Sequence, residues 1–222
     1  MVPGPPPAPT RLRADAARNR RAIIDAAGTL YGQRGLDTPL DDIAQHAGVG
    51  NATLYRHFPS RCALIAAVFT DTLARVVSAA EQALAISDPW EAFATHFRFL
   101  CNLQASNRGL ADLLTTAVSG APQIERLRAR AYRDLVLLAH RAQTAGALRA
   151  DLTPQDVALL LMANAGLVHR TADLAVVASA RYADFTLDGL RSAAATATRT
   201  PSPRASVVQR IMRQRGHDLG YR

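Results

Sequence analysis

Apolar residues recur along the chain at intervals of three and four, and nowhere alternate with period two for long enough to make a sheet strand. From about Asp15 to Arg34, Ile23, Ala27, Leu30 and Tyr31 share one face, and Gly35 follows as a natural stop. Thr38-Pro39-Leu40-Asp41 reads as the start of the next helix: Thr38 the cap, Pro39 the first helical residue, Asp41 closing the capping box. Leu40, Ile43, Ala44 and Ala47 mark its buried face, and Gly48-Val49-Gly50 breaks it. A short helix follows from Asn51 to Phe58 and buries Leu54 and Phe58. Pro59-Ser60 then opens a long helix to about Ala85, with Leu64, Ile65, Val68, Thr72 and Val76 inward.

Asp88-Pro89-Trp90-Glu91 is a second capping box, ahead of a helix carrying Trp90, Phe93, Phe97, Leu100 and Cys101. Further helices are predicted near Gly109–Thr116, from Pro122 to Ala145, from Thr153 to about Arg170, and from Val177 to Ala194. The pattern is all-α, with about nine helices and no internal repeat.

Residues 39–58, PLDDIAQHAGVGNATLYRHF, have the form of a helix-turn-helix: two turns of helix, a glycine turn, and a second short helix. The apolar set Leu40, Ile43, Ala44, Ala47, Val49, Leu54 and Phe58 would hold the two helices together. Outside it stand Asn51, Ala52, Thr53, Tyr55, Arg56 and His57. Asn and Arg read base edges, and Thr, Tyr and His donate to phosphates.

Charge sharpens this picture. The chain has 222 residues and 26 basic side chains, all Arg, against 18 acids, net +8. Residues 1–61 carry 8 Arg and 5 acids, residues 62–193 carry 12 of each, and residues 194–222 carry 6 Arg and 1 acid. A neutral body therefore lies between two basic ends, and the excess points to an acidic partner, nucleic acid first and an anionic membrane surface second. Arg11, Arg13, Arg18, Arg20 and Arg21 form either an arm reaching phosphates or an adjacent minor groove, or a solvated end. The stretch from Thr196 to Ser206 reads as a disordered tail.

The run of residues 14–68 resembles the TetR family of transcriptional regulators. Gly35, Thr38 to Ala44, Ala47-Gly48-Val49 and Thr53-Leu54-Tyr55-Arg56-His57-Phe58 all fall in that family's register. The resemblance implies that Thr53, Tyr55, His57 and Arg61 contact phosphates, that Thr38 caps its helix near the DNA backbone, and that Asn51, Ala52 and Arg56 face the bases. Three positions depart from the pattern. Gly50 stands where a serine usually caps the recognition helix, so the capping role disappears or passes to Asn51. Asn51-Ala52 replaces a basic residue plus glycine, and Cys62 replaces a frequent glutamate. Operator sequence is therefore not transferable.

The rest of the chain resembles the family more weakly, through NRGLADLL (107–114) and AQTAGALRADLTPQD (142–156). By that resemblance the helices from about Arg61 to Ala145 enclose a small-molecule cavity, and the last two predicted helices, from about Pro154 and Val177, pair with their symmetry mates in a homodimer. The run from Val157 to Val168, apolar nearly all round, suits a helix with neighbours on every side. Trp90, Phe93, His96, Phe97, Asn164 and His169 are the candidate pocket residues.

The expected organisation is a disordered arm over 1–13, a helix-turn-helix domain over 14–60, a ligand-binding and dimerisation domain over 61–195, and a disordered basic tail over 196–222. The expected activity is that of a dimeric repressor which binds double-stranded, palindromic operator DNA and is released by an unidentified small molecule. An all-helical adaptor and a non-specific DNA binder are the alternatives.

Enzymatic chemistry finds no support: the sequence has no phosphate loop, no GxSxG elbow and no HExxH pair. No cofactor or metal is implied. His46 and His57 belong to the motif, and Cys62 and Cys101 read as small buried residues of a reducing compartment. The Pro-rich start lacks the apolar core of a secretory signal, and Val157–Val168 is too short for a bilayer, so a cytoplasmic location is expected.

Overall fold

The computed structural model describes residues 9–218, with side chains over 14–216. Among the described residues ten α-helices follow one another: α1 (Pro9–Arg34), α2 (Leu40–His46), α3 (Asn51–His57), α4 (Arg61–Leu84), α5 (Pro89–Ser106), α6 (Arg108–Thr115), α7 (Pro122–Thr144), α8 (Pro154–Thr171), α9 (Ala175–Leu190) and α10 (Ala205–Asp218). Single 3-10 turns flank α9, and among the described residues the only β pairing is an isolated bridge between Leu148 and Arg191. The fold is all-α with an N-terminal helix-turn-helix, as the periodicity predicts.

The helix boundaries follow local chemistry. Ser60 accepts from the Ala63 amide, Asp88 from Glu91 and Asn107 from Leu110, so α4, α5 and α6 each begin on a side-chain cap. Thr153 and Asp156 complete a reciprocal capping box on α8. Gly35 stops α1 at φ +96°, a conformation that suits glycine.

Four expectations are corrected. Helix α1 begins at Pro9, so the helix takes in the C-terminal part of the expected disordered arm; residues 1–8 lie outside the described residues. Pro39, not Thr38, precedes α2, and no side chain caps that helix. On α4, Phe69 and Leu73 are buried, whereas Val68 and Thr72 are only half-buried, because the helix turns its core face towards α7 as well as α1. Residues 196–218 of the expected disordered tail instead cross the body and carry α10, and residues 219–222 lie outside the described residues.

The core has two parts. One joins Ile23, Tyr31, Ile43, Leu54 and Phe58 of the head to Leu64, Ile65 and Phe69 of α4 and Leu110 of α6. The other gathers Val76, Phe93, Phe97, Leu138, Leu161 and Leu187. The apolar core thus runs unbroken past Ser60–Arg61 and changes partners along α4, between Leu73 and Val76. Among the described residues one helix, α4, is long and apolar enough to cross a membrane by length and composition; here it packs on α1, α5 and α7.

Candidate nucleic-acid interface and effector cavity

Helices α1, α2 and α3 pack on one another around Ile43, Ala44, Leu54 and Phe58. Burying Leu54 and Phe58 turns the opposite side of α3 outward. Asn51, Ala52, Tyr55 and Arg56 lie exposed on it, and Thr53 and His57 are half-buried at its flanks. Tyr55 and Arg56 make no hydrogen bond or ion pair with other described residues, so both are free to donate outward. Gly50 gives α3 no side-chain cap, and Asn51 does not replace it: its Nδ2 donates to Asp41 Oδ1 at 2.8 Å, tying α2 to α3. His57 Nε2 is buried without a partner, which leaves Nδ1 for any outward contact.

Two residues assigned to the DNA backbone point inward instead. Thr38 is 2% exposed, and its hydroxyl donates to Gly35 O at 2.8 Å. Arg61 is half-buried and donates through Nη1 to Leu36 O at 2.9 Å and Thr38 O at 2.6 Å. Both hold the turn between α1 and α2. Of the basic residues before the motif, Arg18 pairs with Asp15, Arg21 with Asp25, and Arg20 lies over the Phe58 ring at 5.2 Å. The side chains of Arg11 and Arg13 lie outside the described residues.

That turn is also gripped from the body. Asp112 on α6 accepts from Leu36 N at 2.9 Å through Oδ2, and its Oδ1 meets His169 Nε2 of α8 at 2.8 Å. A Cβ on Gly35 would stand 2.6 Å from Asp112 Oδ2, so glycine permits this approach. Beside it, a Cβ on Gly109 would stand 2.9 Å from Tyr31 O. Sequence reasoning missed Asp112. Its signal was a carboxylate inside the apolar run LADLL, where a buried charge needs partners.

None of the six candidate pocket residues is in the wall of the cavity between α5, α6, α7, α8 and α10. Phe93 and Phe97 stack in the core with centroids 6.0 Å apart, and Arg191 lies over the Trp90 ring at 4.2 Å. Asn164 donates to Gln104 Oε1 and Cys101 O and accepts from Ser179, so its bonding capacity is met internally. His169 belongs to the Asp112 link. His96 is buried beside Phe99, both ring nitrogens lack partners, and burial pushes its pKa down to about 4. The Cys62 and Cys101 thiols are buried and pushed up by desolvation, Cys101 to about 12, which disfavours the reactive thiolate. Among the described residues no cluster of His, Cys, Asp and Glu has the form of a metal site.

A cavity of about 270 Å³ lies between α5, α6, α7, α8 and α10. Its wall is mostly apolar, with Leu100, Leu135, Leu161 and Met162 prominent, and its charged residues are Arg128 and Glu125. Arg128 Nη1 bonds Glu125 Oε1 at 2.8 Å, while the buried Arg128 Nε has no acceptor. Arg128 falls on one turn of an amphipathic helix, where an Arg ordinarily reads as surface.

Comparison with known proteins bears on both regions. Residues 23–68 match the family model for bacterial regulatory proteins of the tetR family, and residues 88–192 match that of the SbtR-like transcriptional regulator C-terminal domain. A TetR transcriptional regulator from Streptomyces coelicolor is 35% identical in a solved structure, at a TM-score of 0.51, over 78% of this chain and 98% of that one. The regulator PfmR from Thermus thermophilus (24% identical, TM-score 0.53, covering 76% and 98%) shares the fold. So does FadR from Bacillus subtilis in complex with stearoyl-CoA (17% identical, TM-score 0.53, covering 77% and 98%). No curated protein matches the chain.

Proposed function

The chain belongs to the TetR family of transcriptional regulators, and on that premise we propose that it is a homodimeric, ligand-responsive repressor of palindromic operator DNA. The observation that carries the reading is the outward face of α3, where Tyr55 and Arg56 stand beside Asn51 and Ala52 with no internal demand on them. In the major groove, Arg56 and Asn51 can reach base edges, and Thr53, Tyr55 and His57 the flanking phosphates. Asn51 must leave Asp41 to do so. Thr38 and Arg61 act indirectly in this reading: they hold the α1–α2 turn, and with it the pose of α3.

Dimerisation through α8 and α9 is supported by what those helices leave in water. Leu159, Val176, Val177 and Phe185 are exposed on them, with Leu174 in the turn between. Such an apolar face calls for a partner surface. A two-fold dimer would place two α3 helices on half-sites about 34–36 Å apart or multiples of that.

Ligand response rests on a short route from cavity to head. Leu114 and Thr115 line the cavity from α6, the helix that carries Asp112. Leu161 and Met162 line it from α8, the helix that carries His169. An effector that favours a different spacing of α6 and α8 would shift the Asp112–Leu36 and His169–Asp112 bonds, and the turn with them. The coupling requires only unequal effector affinity for the two arrangements. FadR is known with stearoyl-CoA bound, which makes a ligand-binding body reasonable for this fold.

The deciding measurement is a mobility-shift titration of the purified protein against DNA upstream of its own gene, repeated across salt. Specific binding that weakens with salt supports the repressor. Equal affinity for random duplex would favour the non-specific binder, and absence of binding the adaptor.

A further inference from the structure

Residues 196–218 run back over the body and are tied down at successive points. Arg149 donates to Thr196 O at 2.7 Å, and Asp151 accepts from the Thr198 hydroxyl at 3.1 Å. The Ser202 hydroxyl meets Thr153 Oγ1 at 2.6 Å and Asp156 Oδ1 at 2.9 Å. Helix α10 then spans the cavity, and the Ala117 amide donates to Met212 O at 3.1 Å. Ala205, Val208, Gln209 and Met212 form part of the cavity wall, and Val208 is 5% exposed. Arg204, Arg210, Arg213 and Arg215 face solvent, so the amphipathic pattern of α10 matches a cover with one wet side.

Beneath this cover the polar demand is specific. Arg128, with its side chain 9% exposed, has one carboxylate partner and an orphaned Nε. The Arg128–Glu125 pair is already neutral. A second carboxylate would leave net negative charge in an apolar cavity, which is costly, whereas a neutral oxygen acceptor would satisfy the donor without adding charge. The volume admits only a small molecule.

We propose that the C-terminal segment is a built-in lid on the effector cavity, and that the effector is a small, uncharged, mostly apolar molecule with one hydrogen-bond acceptor for Arg128. The proposal rests on the ligand-responsive reading and narrows its ligand. Lifting the lid widens the entrance, and its tethers at Thr196 and Thr198 are exposed hydrogen bonds of a kind that yields readily, while those of Ser202 to Thr153 and Asp156 are half-buried.

Three nearly isosteric probes test the site by calorimetry on the full-length, DNA-free protein: benzylacetone, 3-phenylpropanoate and butylbenzene. Benzylacetone is expected to bind ~10-fold more tightly than either of the others, the worth of one well-placed hydrogen bond to a charged donor. Arg128→Lys, which keeps the charge beside Glu125 but loses Nε, is expected to reduce that preference over butylbenzene to within about threefold, with butylbenzene itself little changed. Val208→Asp, which loosens the lid while leaving α5 to α8 intact, is expected to raise the benzylacetone association rate by ~10-fold in stopped flow.

Tighter binding of the carboxylate overturns the neutral class, and an unchanged association rate overturns the lid. Absence of heat from all three probes, in wild type and Val208→Asp alike, overturns the site. Operator binding at saturating benzylacetone is read separately: tight occupancy without DNA release keeps the lidded site and overturns the ligand-responsive reading alone.

Discussion

On α3, Tyr55 and Arg56 stand in solvent with no internal partner; inside the body, Gln104, Asn164 and Ser179 satisfy one another and the Cys101 carbonyl. Both sets are polar residues at helical spacing, yet their surroundings give them opposite work. A polar group in water is available to a ligand at little cost. A buried polar group must be bonded, so its bonds hold the fold together. Thr38, Arg61 and His169 look like members of the first set by type and behave as members of the second. Function here is read from which polar groups are left unspent.

The sharpest way to break the contrast is to remove the unspent pair. Tyr55→Ala with Arg56→Ala is expected to weaken operator binding by ~100-fold or more, since a base-reading Arg alone is worth about 1–3 kcal/mol per half-site. Dimer mass by sedimentation and melting temperature should stay put. Retained DNA affinity would remove α3 from the interface.

Next in size is a residue whose bonds are all internal. Asp112→Ala leaves the Leu36 amide and His169 without their acceptor, and a loss of about 3 kcal/mol in urea unfolding is expected. An unchanged midpoint would mean that the turn is held without the body.

A smaller, pH-dependent effect isolates the orphaned His96. Burial lowers its pKa from 6.5 to about 4, so the unfolded chain binds the extra proton first as pH falls. Its contribution is fully present above pH 6.5 and is lost as pH drops from there towards 4, at up to about 1.4 kcal/mol per unit. Relative to wild type, His96→Leu should show a shallower decline of stability over that window; parallel curves would count against a buried neutral imidazole.

The smallest change should come from Arg18→Ala with Arg21→Ala. Both side chains are exposed and pair within their own helix, so stability should move by less than about 0.5 kcal/mol. If they leave their acids for phosphates, the slope of log affinity against log salt falls by about 0.9 for each phosphate no longer neutralised. No change in slope would assign them to solvent.

How far each region was legible follows from the range of its interactions. Capping residues and glycine stops act within one turn, so the starts of α5 and α8 and the end of α1 could be read directly from Asp88, Thr153 and Gly35. The helix-turn-helix was legible for the same reason, because its apolar set lies within twenty consecutive residues. The Pro- and Arg-rich tail misled: its composition suits disorder, yet Thr198 and Ser202 found acceptors in Asp151 of the α7–α8 loop and Asp156 of α8, and Val208 and Met212 found a cavity to cover.

The sequence by itself determined helices α1 to α9, the register of the helix-turn-helix and the family, because each depends on spacing along one stretch of chain, whereas α10 escaped it. Only the tertiary structure decided which polar side chains remain free. Leu36 N meets its acceptor 76 residues away on α6, and Asn164 meets Gln104 across 60. Helical periodicity places a residue on a face but does not say what that face meets. Whether Thr38 faces solvent or holds a turn, and whether Arg128 faces water or a cavity, is decided by packing between helices far apart in the chain.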